Sequence, residues 1–154
     1  GTTDRIAAIA PVMGAVQPAV LDSGTHSGPV PVLMIHGTAD PVVPYGVEGM
    51  LSNSGPHGGF LAVPDNIARW AELNGCDKVP EIVSLSSGDC VVDQIVYPCA
   101  EGAETILYRV EGGGHTWPGR KNRYPAFIVG KTCMNLDASR AIWDFFARQS
   151  RPIP

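Results

Sequence analysis

Two polar side chains stand directly behind apolar runs that break into tight turns. They are Asp40, in His36-Gly37-Thr38-Ala39-Asp40-Pro41, and His115, in Glu111-Gly112-Gly113-Gly114-His115-Thr116-Trp117. An imidazole with a pKa of about 6.5 can take up a proton near neutrality and give it back, and a neighbouring carboxylate decides which ring nitrogen is free to do so. Taken singly, each residue has a plainer reading. An Asp before Pro commonly accepts backbone hydrogen bonds in a turn, and a His after three glycines is commonly a loop residue. Their weight comes from the pair, because open α/β sheets collect functional groups at the carboxyl ends of their strands. A metal site built from His36, Asp40 and His115 has suitable ligand types but no characteristic ligand spacing, so neither a metal nor another cofactor is expected. His36 is read as a structural hydrogen-bonding residue, and His26 and His57 as loop residues without a chemical role.

The elements that must position this pair can be read along the chain. Residues 6–13 (Ile-Ala-Ala-Ile-Ala-Pro-Val-Met) and 31–35 (Pro-Val-Leu-Met-Ile) are near-continuous apolar runs, as strands buried on both faces of a parallel sheet require. The link between them carries turn residues and no helical period. Residues 65–74 read as a helix starting behind Pro64-Asp65 and stopping at Gly75. Residues 91–97 and 105–110 read as two strands joined by a turn around Glu101-Gly102, placed as a hairpin at the sheet edge. Asp137 caps a last helix over 138–149, with Ile142, Trp143, Phe145 and Phe146 as its packing stripe.

Composition narrows the partner classes. Charged residues make up only 17% of the 154, and apolar residues 44%, which is too apolar for a disordered chain. Eleven Lys and Arg face fifteen Asp and Glu without any basic run, so a nucleic-acid surface has no electrostatic basis. No apolar stretch approaches the roughly 20 residues of a membrane span, and the first residues lack the layout of a signal peptide. Cys76, Cys90, Cys99 and Cys133 show no zinc-finger spacing. The even count fits one or two disulfides in an oxidising compartment, or four buried thiols, and three complete pairings remain open.

Asp followed by His in chain order matches the last two members of an α/β-hydrolase triad, which runs Ser, Asp or Glu, His. The sequence resembles the α/β-hydrolase esterases grouped with polyhydroxybutyrate depolymerases and secreted feruloyl esterases. The resemblance is carried by Ala10-Pro11-Val12-Met13-Gly14, by His36-Gly37-Thr38-Ala39-Asp40 with Val43-Pro44-Tyr45, by Trp70 to Cys76, by Gly113-Gly114-His115-Thr116-Trp117-Pro118-Gly119, and by Asp137-Ala138-Ser139-Arg140 with Trp143-Asp144-Phe145-Phe146. It implies a secreted or extracellular serine carboxylester hydrolase acting on a polyhydroxyalkanoate or on feruloyl or acetyl esters. Asp40 would then orient His115, which would serve as base toward a serine hydroxyl and as acid toward the leaving alcohol. Glycines 112–114 would bend the chain to aim His115 over the sheet. Trp117 would contribute to a substrate-binding wall, or else anchor its loop by packing. Cys76 and Cys99 resemble a family disulfide tying helix to strand, whereas Cys90 and Cys133 pair either with each other or with cysteines elsewhere in the parent protein.

The departure from the family is a missing nucleophile. There is no Gly-x-Ser-x-Gly: Gly24-Thr25-His26-Ser27-Gly28 places its serine one position late, Ser54 and Ser87 stand in ordinary loop contexts, and His57-Gly58-Gly59 falls after the acid strand. The expectation is therefore that residues 1–154 form the C-terminal half of one α/β-hydrolase domain, a mostly parallel sheet flanked by helices. Its partner would be an N-terminal half bearing the serine, and without it an apolar sheet edge should be exposed. A non-catalytic ligand-binding or assembly module that retains the hydrolase sheet is the alternative.

Overall fold

The computed structural model of the chain describes residues 6–16, 28–46, 61–86, 88 and 90–149. The link from 17 to 27, both outlying histidines and the serines 27, 54 and 87 lie outside these residues. Among the described residues seven elements follow one another: β1 (Val32–Gly37), α1 (Val63–Leu73), β2 (Glu81–Ser86), β3 (Val92–Tyr97), β4 (Thr105–Val110), α2 (Ala126–Val129) and α3 (Ala138–Phe146).

The strands form one sheet in the order β1-β4-β3-β2. Only β1 and β4 run parallel, in register from Val32 beside Thr105 to Gly37 beside Val110, while β4–β3 and β3–β2 are antiparallel. The sheet is thus mixed rather than mostly parallel. The β3–β4 hairpin forms, but it lies inside the sheet, because β4 is captured by β1 on one side and Glu81–Ser86 adds an unforeseen strand beyond β3. Residues 6–13 run alongside β1 as an extended segment held by parallel bridges at Ile9 and Val12. Pro11 offers no N–H to a ladder, and Met13 ends the segment with φ at 52°. This segment is half-buried rather than covered on both faces.

β1 is buried at every position because it feeds two layers. Val32 and Met34 pack with Val63, Ile67 and Trp70 of α1, whereas Leu33 meets Phe145 of α3, and Ile35 joins Ala138 at the start of that helix. Alternation across one strand thereby supplies both cores, each large apolar side chain adding about 1.5–3 kcal/mol on burial. α1 begins at Val63 with Pro64 in its first turn and no side-chain cap, and it stops at Asn74 before Gly75 (φ 71°). Asp137 does cap α3, its carboxylate accepting the Arg140 N–H at 3.0 Å. Of the expected stripe, Phe145 is buried and Ile142 packs beside it, but Trp143 (69% exposed) and Phe146 face outward. Cys76 is bonded to Cys99, and Cys90 to Cys133, at opposite ends of the sheet.

Candidate active site

β1 and β4 end side by side, and the chain turns sharply after each. Gly37 and Gly113 are pressed together so closely that a Cβ on Gly37 would overlap the Gly113 carbonyl. Gly114 meets Gly130 and the Val129 carbonyl in the same way. Of the three consecutive glycines only Gly112 has a positive φ, 68°. The turn therefore needs Gly112 for its dihedral angle, Gly113 because a Cβ there would strike the Val110 side chain, and Gly114 for its backbone-to-backbone approach to Val129 and Gly130. The two turns exchange hydrogen bonds, Thr38 N–H to Val110 and Ala39 N–H to Gly113, at 2.9 and 3.0 Å. The Thr38 hydroxyl donates to Glu111 and accepts the Gly112 N–H, clasping one turn to the other.

This scaffold brings Asp40 and His115 together. The Asp40 side chain is fully buried. Its Oδ1 accepts the N–H groups of Val42 and Val43, each at 2.8 Å, and its Oδ2 accepts His115 Nδ1–H at 2.9 Å. A carboxylate can only accept, so Nδ1 carries the proton and Nε2 is left as the ring's basic nitrogen. The His115 side chain is 36% exposed, at the mouth of a cleft of about 260 Å³ shared with Val12, Met13, Trp117, Asn122 and Tyr124. Its backbone is fixed from beneath by an N–H bond to Val129 at 2.6 Å, and Gly114 is bonded to Lys131 and Gly119 to Cys133. The buried Cys90–Cys133 disulfide pins this supporting segment to the start of β3, and Asn135 adds a bond to the Cys90 carbonyl at 2.9 Å.

His36 belongs to the same cluster. It is wholly buried at the end of β1, with Nε2 2.9 Å from the Val43 carbonyl and 3.5 Å from Asp40 Oδ2. Burial holds its pKa below the ordinary 6.5, against the opposing pull of the Val43 hydrogen bond and the Asp40 charge. Trp117 is 45% exposed on the cleft while its indole N–H donates to Ser139 at 3.1 Å, so it both lines the cleft and is tethered. Met13 is a site neighbour that the sequence marks only as the end of an apolar run and part of the 10–14 motif, without a role: its left-handed backbone turns it toward the cleft, and its sulfur accepts the Gly37 N–H. Among the described residues no group of three or more His, Cys, Asp or Glu is arranged to hold a metal, and no helix is long and apolar enough to cross a membrane.

No family model matches the chain. It is similar to a curated protein of Nocardia uniformis subsp. tsuyamanensis named "Putative esterase NocK", with 27% identity over 160 aligned residues. The match takes in 92% of this chain and spans 44% of that relative's length.

Proposed function

We propose that residues 1–154 are the C-terminal part of an α/β-hydrolase domain and supply the acid and base of a serine carboxylester hydrolase. The observation that carries this reading is the 2.9 Å bond between a buried carboxylate and the Nδ1 of a cleft histidine, at the shared end of two parallel strands. A serine hydroxyl is a weak nucleophile at neutral pH and becomes competent when an oriented imidazole removes its proton. In the proposed reaction His115 Nε2 takes that proton as the serine oxygen attacks the ester carbonyl, and Asp40 stabilises the resulting imidazolium. The proton then passes to the leaving alcohol, and water repeats the sequence to free the acid. The similarity to a protein named as an esterase supports the bond class. The apolar, aromatic-lined cleft suits an acyl group of a polyhydroxyalkanoate, or a feruloyl or acetyl ester. The serine and oxyanion donors would come from an upstream half of the parent protein, and the two disulfides suit an extracellular location.

The test uses the complete parent protein. His115→Ala should lower kcat/KM on a p-nitrophenyl ester by about 10²–10⁴-fold at unchanged Tm, with Asp40→Asn following it. A serine-directed phosphonate should label a serine upstream of this chain. A His115→Ala enzyme of normal activity would remove the acid–base reading and leave the ligand-binding module in its place.

A further inference from the structure

The Asp40 carboxylate meets two histidines at one oxygen. Oδ1 is saturated by the Val42 and Val43 N–H groups, while Oδ2 bonds His115 Nδ1 at 2.9 Å and has His36 Nε2 beside it at 3.5 Å. At 3.5 Å the His36 contact is too long for a good hydrogen bond, but it lies well within electrostatic reach. Nε2 of His36 carries a proton, since its closer neighbour at 2.9 Å is the Val43 carbonyl, which can only accept. Val43 thus donates to Asp40 through its N–H and accepts from His36 through its C=O, closing a small ring of residues 36, 40 and 43 beneath the exposed His115.

We propose that His36 is a positioning residue for the Asp40–His115 pair. Its Nε2–H clamps the 40–43 turn through Val43 and lays a positive dipole edge along Oδ2, so that the carboxylate cannot rotate away from His115. An imidazole is a costly choice for a wholly buried strand end, where an apolar side chain would pack without desolvation. The cost is explicable if the ring holds a carboxylate that must stay ionised, aligned and dry. Burial also keeps His36 neutral, so it does not compete as a full cation for the oxygen that His115 needs.

This inference rests on the acid–base reading above, and the experiment separates the two. In the complete parent protein, His36→Leu keeps the volume and deletes the donor, His36→Asn keeps polarity but falls short of Val43, and His36→Gln returns an N–H to the Nε2 position. Rates are counted per active site titrated with the phosphonate, so that misfolded protein drops out. His36→Leu and His36→Asn should lose about 10–100-fold in kcat with KM within about twofold, and His36→Gln should recover most of it. The downfield proton resonance of the His115 Nδ1–H bond should be sharp in the wild type and in His36→Gln, and lost or shifted in the other two. Full kcat in His36→Leu or His36→Asn, beside an inactive His115→Ala, would overturn the role of His36 alone. Should His115→Ala also retain full activity, both readings fall.

Discussion

The two ends of the sheet are closed in different ways. At the amino end of β4 one side chain does most of the joining: Asn74, capping α1, accepts the Val30 N–H and donates to the Val30 carbonyl and the Thr105 hydroxyl, each at 2.9 Å. Cys76–Cys99 then ties the same helix end to the end of β3. At the carboxyl end of β1 and β4 the joining is backbone on backbone, through Gly37, Gly113, Gly114 and Gly130. A side-chain bridge tolerates small adjustments because torsions can absorb them. Packed peptide groups cannot, and the carboxylate–imidazole bond sits where the structure has least freedom to drift.

The sharpest way to break that contrast is an alanine at each end. Gly114→Ala sets a methyl against the Val129 carbonyl and the Gly130 Cα, neither of which can rotate aside, and should cost about 3 kcal/mol or more. Asn74→Ala strands buried polar groups but creates no overlap, and should cost about 1–3 kcal/mol. Denaturant unfolding of both variants ranks them, and a milder loss for Gly114→Ala would mean that its loop yields.

The disulfides sharpen the comparison. Their sequence separations of 43 and 23 residues imply loop-closure contributions of about 4 and about 3.5 kcal/mol, so removing either should lower stability similarly. Activity should not follow suit. On the proposed acid–base role of His115, alanine at Cys90 and Cys133 frees the segment beneath it and should cut the esterase kcat of the parent protein about tenfold or more, whereas alanine at Cys76 and Cys99 should leave that rate near wild type. Equal activities would show that the supporting segment holds without its staple.

The smallest effect is a pH response confined to one end. The folded-state pKa of His36 lies below 6.5, so the unfolded chain takes up that proton first. Its contribution to stability is complete above pH 6.5 and diminishes as pH falls from there toward the folded-state value. Hydrogen exchange followed from pH 7.5 to 5.5, corrected for intrinsic rates, should show protection falling around His36 and Val43 but not around Asn74 and Thr105. The difference should vanish in His36→Gln.

How much of this was legible depends on the range of the interactions involved. The apolar run before His36 and the β-branched stretches of β3 and β4 announce themselves locally, and so does the Asp137 cap. Asp40 and His115 could be singled out because each follows such a run. The place of the β3–β4 hairpin inside the sheet could not, since it depends on which strands capture its edges across long separations. β2 was missed although Pro80 and Gly88 bracket Ile82, Val83 and Leu85, because every one of those side chains is exposed and no burial pattern marks them. Trp143 and Phe146 obey helical spacing yet face outward, since spacing reports a stripe and not what covers it. The second disulfide and the place of Met13 at the cleft are products of tertiary approach, which neither the cysteine spacing nor the 10–14 motif encodes locally.

The glycine seam also bears on how a mutational survey of this chain would read. Gly37, Gly113, Gly114 and Gly130 would score as intolerant as Asp40 and His115, although none of the four offers a side chain to any reaction. Activity maps alone would merge the two sets into a single oversized active site. Abundance maps would set His115 apart, because the glycines are removed by misfolding while the half-exposed His115 ring can be lost without it; Asp40, buried on the Val42 and Val43 N–H groups, would fall in both maps.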